Sequence, residues 1–144
     1  MCTTTAGGTS ASAPMAAGIC ALVLEAKEIP NEPNGKIELN IRTDMCRKYI
    51  KNLEQIEAVL SIQFHPRGNL EIHLTSDSGT SSQLLQPRPN DVHEKYFLNW
   101  SFTSVHFWGE RIGKRWNLTL INNGKHEAKK SGKLHSYQLI FHGI

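Results

Sequence analysis

The side chain with the clearest chemical potential at the start of the chain is the hydroxyl of Ser10. Gly7 and Gly8 precede it and allow a sharp approach of the backbone. The apolar stretch that ends near Ala26 is rich in small residues and predicts a helix over residues 10–26. Because the start of a helix stabilises a developing negative charge, this pattern is typical of a nucleophilic serine. The same local features also fit a serine that only caps a buried helix.

A serine hydroxyl is a weak nucleophile unless a histidine accepts its proton and a carboxylate orients that histidine. The nine residues before Ser10 contain neither Asp nor His. We therefore expect no catalytic base for Ser10 in this chain. The seven histidines lie within or between segments with a strand pattern: His65, His73, His93, His106, His126, His135 and His142.

The spacing of these histidines predicts no zinc site, because there is no helical i, i+4 pair and no clustered Cys/His spacing. Most of them are expected at the surface or in turns. His106 is expected to be a hydrogen-bonded core residue.

The elements after residue 35 show the alternation of apolar and polar residues that predicts half-buried strands. Short apolar segments repeat between turn residues, at 37–41, 56–64, 70–74, 102–108, 116–120 and 139–141. Many short strands without an intervening long helix indicate an antiparallel β-sandwich or jelly roll. We expect four aromatic residues to pack in its core: Trp100, Phe102, Trp108 and Trp116.

Charge and hydropathy exclude two classes of function. The net charge of +3 comes from 16 basic residues scattered among 13 acidic ones, so no nucleic-acid partner is expected. The apolar stretch from Ala11 to Leu24 is shorter than the roughly 20 residues of a membrane helix, and we expect no transmembrane segment. It also lacks a preceding positive charge, so we expect no signal peptide in this chain.

Cysteines and glycosylation sequons point to secretion. Cys2, Cys20 and Cys46 form an odd set, which leaves at least one thiol without a partner in the chain. Two sequons, Asn99-Trp100-Ser101 and Asn117-Leu118-Thr119, are typical of a secreted glycoprotein. Strand parity directs Asn99 and Asn117 away from their apolar neighbours and towards solvent.

Two parts of the chain resemble one protein family. Residues 8–18, Gly-Thr-Ser-Ala-Ser-Ala-Pro-Met-Ala-Ala-Gly, resemble the nucleophile motif of subtilisin-like proteases of the kexin and furin branch. Several later segments resemble the P domain, the β-sandwich that follows the catalytic domain of proprotein convertases and helps it fold: 67–70, 74–80, 100–110, 116–118 and 132–143. Residues 104–110 are similar to the neuroendocrine prohormone convertases. The chain departs from the family at Asn69, where Asp is usual, and at Asp77, where Pro is usual.

The resemblance implies that Ser10 is the nucleophile and that its backbone N–H is an oxyanion donor. It also implies that the triad Asp and His precede the serine, and neither is in this chain. Cys2 and Cys46 match family positions whose partner cysteines are missing here. We interpret the chain as a fragment, with three parts: a nucleophile-serine helix of an incomplete subtilisin-like α/β catalytic domain (1–26), a linker (27–34) and a P-domain-like, mainly β sandwich (35–144).

The function implied by the resemblance is that of a calcium-dependent serine endopeptidase that processes precursor proteins at basic sites. Its location would be the secretory pathway, in the Golgi and secretory vesicles, or outside the cell. Its partners would be precursor-protein substrates and the missing remainder of the catalytic domain. The chain itself is expected to be inactive, and its calcium ligands are not identifiable. The alternative is a non-catalytic secreted β-sandwich that binds or supports another protein.

Overall fold

The computed structural model describes most of the chain after residue 26 and two strands before it. The described residues are 2–7, 15–23, 27–30, 32–44, 46, 50–64, 67–88, 97–124 and 132–144, with 2–7, 15–23, 67 and 97–99 described by their backbone alone. They contain ten strands: β1 (Cys2–Gly7), β2 (Met15–Val23), β3 (Lys27–Ile29), β4 (Lys36–Arg42), β5 (Leu53–Gln63), β6 (Leu70–Thr75), β7 (Ser81–Leu85), β8 (Phe97–Ser104), β9 (Arg115–Asn122) and β10 (Gly132–Gly143).

The strands form two antiparallel sheets. Sheet A has the order β1-β2-β10-β5-β8, and β3 also pairs with β10. Sheet B has the order β4-β9-β6-β7. The described part contains a single short 3₁₀ turn, Arg67–Asn69, and no α-helix. The prediction of a mainly β, antiparallel sandwich is therefore confirmed.

The core lies between the two sheets, and strand alternation determines which side chains enter it. On β5, β6 and β9 every second residue is buried, as the sequence pattern predicts: Ile56, Ala58, Leu60, Leu70, Ile72, Leu74, Trp116, Leu118 and Leu120. Trp116 is at its centre, 4.7 Å from the ring of Phe107 and 5.3 Å from the ring of Phe141, both edge-on. Removing so enclosed an aromatic ring costs about 3–5 kcal/mol.

The helix expected for residues 10–26 is wrong over the described residues 15–23, because Met15–Val23 forms strand β2. In sheet A this strand pairs with β10, where Ile19 lies opposite Ile140. A small-residue helix is stable only when its apolar face is covered, whereas the edge of β10 offers backbone partners along the whole segment. Pairing with that edge satisfies the backbone of β2. Residues 8–14, which include Ser10, lie outside the described residues.

Part of the segment expected to be a linker also joins sheet A. Lys27–Ile29 forms β3, whose Ile29 is fully buried. Among the residues that the structure describes, no helix has the length and hydropathy needed to cross a membrane.

Candidate functional site: the β8–β9 loop

The loop between β8 and β9, residues 105–114, is a surface segment that is hydrogen-bonded to several other elements. Its backbone is hydrogen-bonded to the start of β5: Gly109 N donates to Leu53 O (2.7 Å), and Leu53 N donates to Glu110 O (2.8 Å). Thr43 is bonded to the far end of the loop, where its N donates to Lys114 O (2.8 Å). The loop is therefore fixed to sheet A and to the β4–β5 connection at once.

The carboxylate of Glu110 fixes the loop to the turn between β6 and β7. Ser78 Oγ donates to Glu110 Oε2 (2.8 Å), and the hydroxyl of Thr80 donates to Oε1. Lys114 N donates to Asp77 Oδ2 (3.0 Å) from the end of the same loop. Asp77, noted in the sequence as a departure from the family, thus supplies a second contact between this turn and the loop.

Gly113 allows this close contact. Its φ of 74° is in the left-handed region, where side chains with a Cβ are strained. A Cβ at this position would also lie 2.5 Å from the Cβ of Asp77. Glycine is required here for both reasons.

A small polar cluster joins the two sheets beside the loop. Ser82 and Ser104 are buried, and their hydroxyl oxygens are 2.8 Å apart. His106 Nδ1 lies 3.0 Å from Ser82 Oγ. His106 is hydrogen-bonded as expected, but it is exposed rather than in the core.

The side chains of the loop divide into a buried and an exposed set. Phe107 and Ile112 are fully buried, and Ile112 O accepts a hydrogen bond from Trp116 Nε1 (2.5 Å). Val105 and Trp108 are 58% and 67% exposed. The loop therefore presents an indole and an isopropyl group to solvent, while hydrogen bonds join it to β5, to Thr43 and to the β6–β7 turn.

The expectation that Trp108 packs in the core is wrong. It assumed that the strand alternation of Phe102 continues through residue 108, but β8 ends at Ser104 and the chain turns over 106–109. In the sequence, Gly109 was the signal that a turn follows β8. In the structure its φ is 81°, in the left-handed region. Trp100 is also partly exposed, at 40%, and stacks on Phe102 with ring centres 5.6 Å apart. Core packing is confirmed for Phe102 and Trp116.

The other histidines with described side chains are not brought to one site. His73 Nε2 is 2.7 Å from Glu71 Oε1 on sheet B, and His142 Nε2 is 3.1 Å from Glu57 Oε1 on sheet A. The second pair is close in distance but does not have hydrogen-bond geometry. Within the described ranges, no three residues of His, Cys, Asp or Glu converge as a metal site would require.

The remaining sequence-derived site residues are placed as follows. Asn117 is exposed on β9, whereas Asn99 lies on β8 with its side chain not described. Cys46 is fully buried and disulfide-bonded, which differs from the expectation that its partner is missing. Cys2 lies opposite Cys20 in the backbone register of β1 and β2.

Comparison with known proteins assigns the family. Residues 53–141 match the family model described as proprotein convertase P-domain. This match covers more than half of the chain and all the strands from β5 to β9. The chain belongs to the proprotein convertase P-domain family.

Individual relatives agree with this assignment. Furin-like protease 2 of Drosophila melanogaster is 46% identical over 94 residues, which cover 65% of this chain and 6% of the relative. Neuroendocrine convertase 2 of Mus musculus is 36% identical over 125 residues, which cover 84% of this chain and 19% of the relative. The chain thus spans less than a fifth of the length of either protein.

The fold recurs in a solved structure. The serine protease of Aeromonas sobria superposes with a TM-score of 0.62 at 21% identity, over 86% of this chain and 27% of that one. At this identity the likeness concerns the fold.

Proposed function

We propose that the chain acts as a P domain that docks on a subtilisin-type catalytic domain and stabilises it. The observation that carries the proposal is the exposed Trp108 on the β8–β9 loop. Interfaces derive most of their binding energy from a few aromatic anchors, and a fixed anchor loses little conformational entropy on binding. The family assignment supplies the kind of partner.

The activity of the complete protein belongs to the same proposal. It is a serine endopeptidase of the secretory pathway that cleaves precursor proteins at basic sites and depends on calcium. The relatives, a furin-like protease and a neuroendocrine convertase, support this reading. Residues 35–144 are proposed as the sandwich unit, with residues 1–26 as the segment that carries the nucleophile position.

Calcium does not fit the carboxylates at the loop. Both oxygens of Glu110 accept hydroxyl hydrogen bonds, and Asp77 Oδ2 accepts the N–H of Lys114. These groups already have donors, and a cation would have to displace them. We therefore assign no calcium site to this loop.

The docking proposal is tested by substituting Trp108. Binding of the 144-residue chain to a separately produced convertase catalytic domain is measured by calorimetry for the unaltered chain, Trp108→Ala and Trp100→Ala. We expect Trp108→Ala to weaken binding by about 30-fold or more, as loss of an interface anchor does. Trp100→Ala, the matched control, removes a partly exposed indole outside the loop and should bind nearly as the unaltered chain does.

Thermal unfolding separates docking from folding. Because Trp108 is mostly exposed, its removal should change the free energy of unfolding by no more than about 0.5 kcal/mol. Equal binding by the Trp108→Ala and unaltered chains would refute this docking surface.

We also propose that these 144 residues have no proteolytic activity, since Ser10 lacks an upstream Asp and His. A serine hydroxyl without its base and orienting group retains at most a residual rate. A fluorophosphonate probe should leave the chain unlabelled. Labelling that disappears in Ser10→Ala would contradict the proposal.

A further inference from the structure

The outer face of sheet B is polar around Asn117. In the strand register, Asn117 on β9 lies opposite Asn40 on β4 and opposite Thr75 on β6. Thr75 Oγ1 in turn donates to Ser81 Oγ on β7 (3.2 Å). A row of small polar side chains therefore crosses all four strands of the sheet, with Asn117 near its middle.

The side chain of Asn117 is available for chemistry. It is exposed, and no residue of the described chain makes a hydrogen bond with its side-chain amide group. A polar groove of about 220 Å³ lies beside it, between Asn40, Thr75, Asp77 and Arg115. A group attached to the Asn117 side chain would therefore find space in this groove.

The sequence around Asn117 matches what an N-glycosylation acceptor requires. Asn117-Leu118-Thr119 has the hydroxyl residue two positions on, and alternation puts Asn117 and Thr119 on the outer face while Leu118 is fully buried. The modification therefore adds its bulk to the solvent side and leaves the core contact of Leu118 unchanged.

We propose that Asn117 carries an N-linked glycan whose first sugar lies over the groove on sheet B. The Asn117 Nδ2 atom would bond to the anomeric carbon of a lipid-diphosphate-linked oligosaccharide, the bond from that carbon to the diphosphate oxygen breaks, and one amide proton leaves. The proposal rests on the proposed passage through the secretory pathway.

The position of the groove gives this glycan a structural consequence. Asp77 lines the groove and also the cleft beside Glu110 and Arg111 at the β8–β9 loop. A glycan at Asn117 would therefore lie close to the contact between the β6–β7 turn and the β8–β9 loop.

The test is expression of the full chain behind a heterologous secretion leader in eukaryotic cells, so that entry into the pathway is supplied by the experiment. Peptide mass spectrometry after enzymatic deglycosylation should find aspartate at position 117. Asn117→Gln and Thr119→Ala should lose that glycan, and the matched variant Thr119→Ser, which keeps the sequon, should retain it. Asn99→Gln should leave occupancy at Asn117 unchanged.

A secreted chain that is unmodified, or modified at Asn99 alone, would overturn the proposal. Circular dichroism of Thr119→Ser and of the deglycosylated chain controls for folding. This experiment measures glycan occupancy at Asn117 only. An unmodified Asn117 would therefore not contradict the docking proposal, and equal binding by Trp108→Ala would not contradict the glycosylation proposal.

Discussion

Two tryptophans that are near each other in the sequence have opposite environments. Trp116 is 1% exposed between two aromatic rings, whereas Trp108 is 67% exposed at the tip of a fixed loop. Both belong to motifs that the sequence singles out equally. Their roles are separated by the end of β8 at Ser104, after which strand alternation no longer decides which way a side chain points.

Tyr137 makes the stability of the sandwich decrease at alkaline pH. It is 7% exposed on β10, and burial raises the pKa of its phenol above the ordinary value of 10.0. The unfolded chain therefore releases this proton at a lower pH than the folded chain does. The stabilising contribution is present below pH 10.0 and is lost as the pH rises through the folded pKa.

We expect Tyr137→Phe to remove this part of the pH dependence. The free energy of urea unfolding is measured for both proteins at about pH 8 and about pH 11, and the decrease between them should be smaller for Tyr137→Phe. All other titrating groups are common to both chains, so they cancel in the comparison. Identical decreases would show that Tyr137 is not responsible.

At the level of elements, the β8–β9 loop depends on the turn between β6 and β7. Glu110→Ala removes the acceptor of two hydroxyl hydrogen bonds, and we expect it to lower the free energy of unfolding by about 2 kcal/mol. The matched control is Glu38→Ala on β4, whose carboxylate makes an exposed ion pair with Lys36 at 3.2 Å. That change should cost about 0–0.5 kcal/mol.

Urea unfolding of the two alanine variants measures this difference. Glu110→Ala should also weaken binding to the catalytic domain, because the loop that presents Trp108 is then less fixed. Equal stability losses at Glu38 and Glu110 would contradict the assigned role of Glu110.

Local patterns predicted some elements and failed for others, for physical reasons. The alternation of Ile56, Ala58 and Leu60 predicted β5, because a strand with one buried face has an apolar residue at every second position of its own sequence. Residues 15–23 have small side chains that suit a helix, but their conformation is decided by pairing with β10, more than a hundred residues away. No local window contains that partner.

The site shows the same division. Asn117 was correctly expected at the surface, since its exposure follows from strand parity alone. The role of Glu110 could not be predicted, because its partners Ser78 and Thr80 lie on a turn of the other sheet. Contacts across the two sheets depend on the complete topology rather than on spacing.

At the level of the whole molecule, the pairing of strands is largely non-local. β4 pairs with β9, and β5 pairs with both β8 and β10. In sandwiches of this kind, long loops must close before the contacts between distant strands can form. Folding is therefore slow and takes about milliseconds to seconds. The two sheets become one core only after these distant strands have met.

The central position of β10 in sheet A has a consequence for biosynthesis. It is the last of the ten strands in the sequence, yet it separates β2 and β3 from β5. While the ribosome is still adding residues 132–143, β2 can pair with β1 and β5 can pair with β8, but no strand joins these two pairs. Sheet A is therefore completed only when β10 is available, and until then the edge of β5 that pairs with β10 stays uncovered.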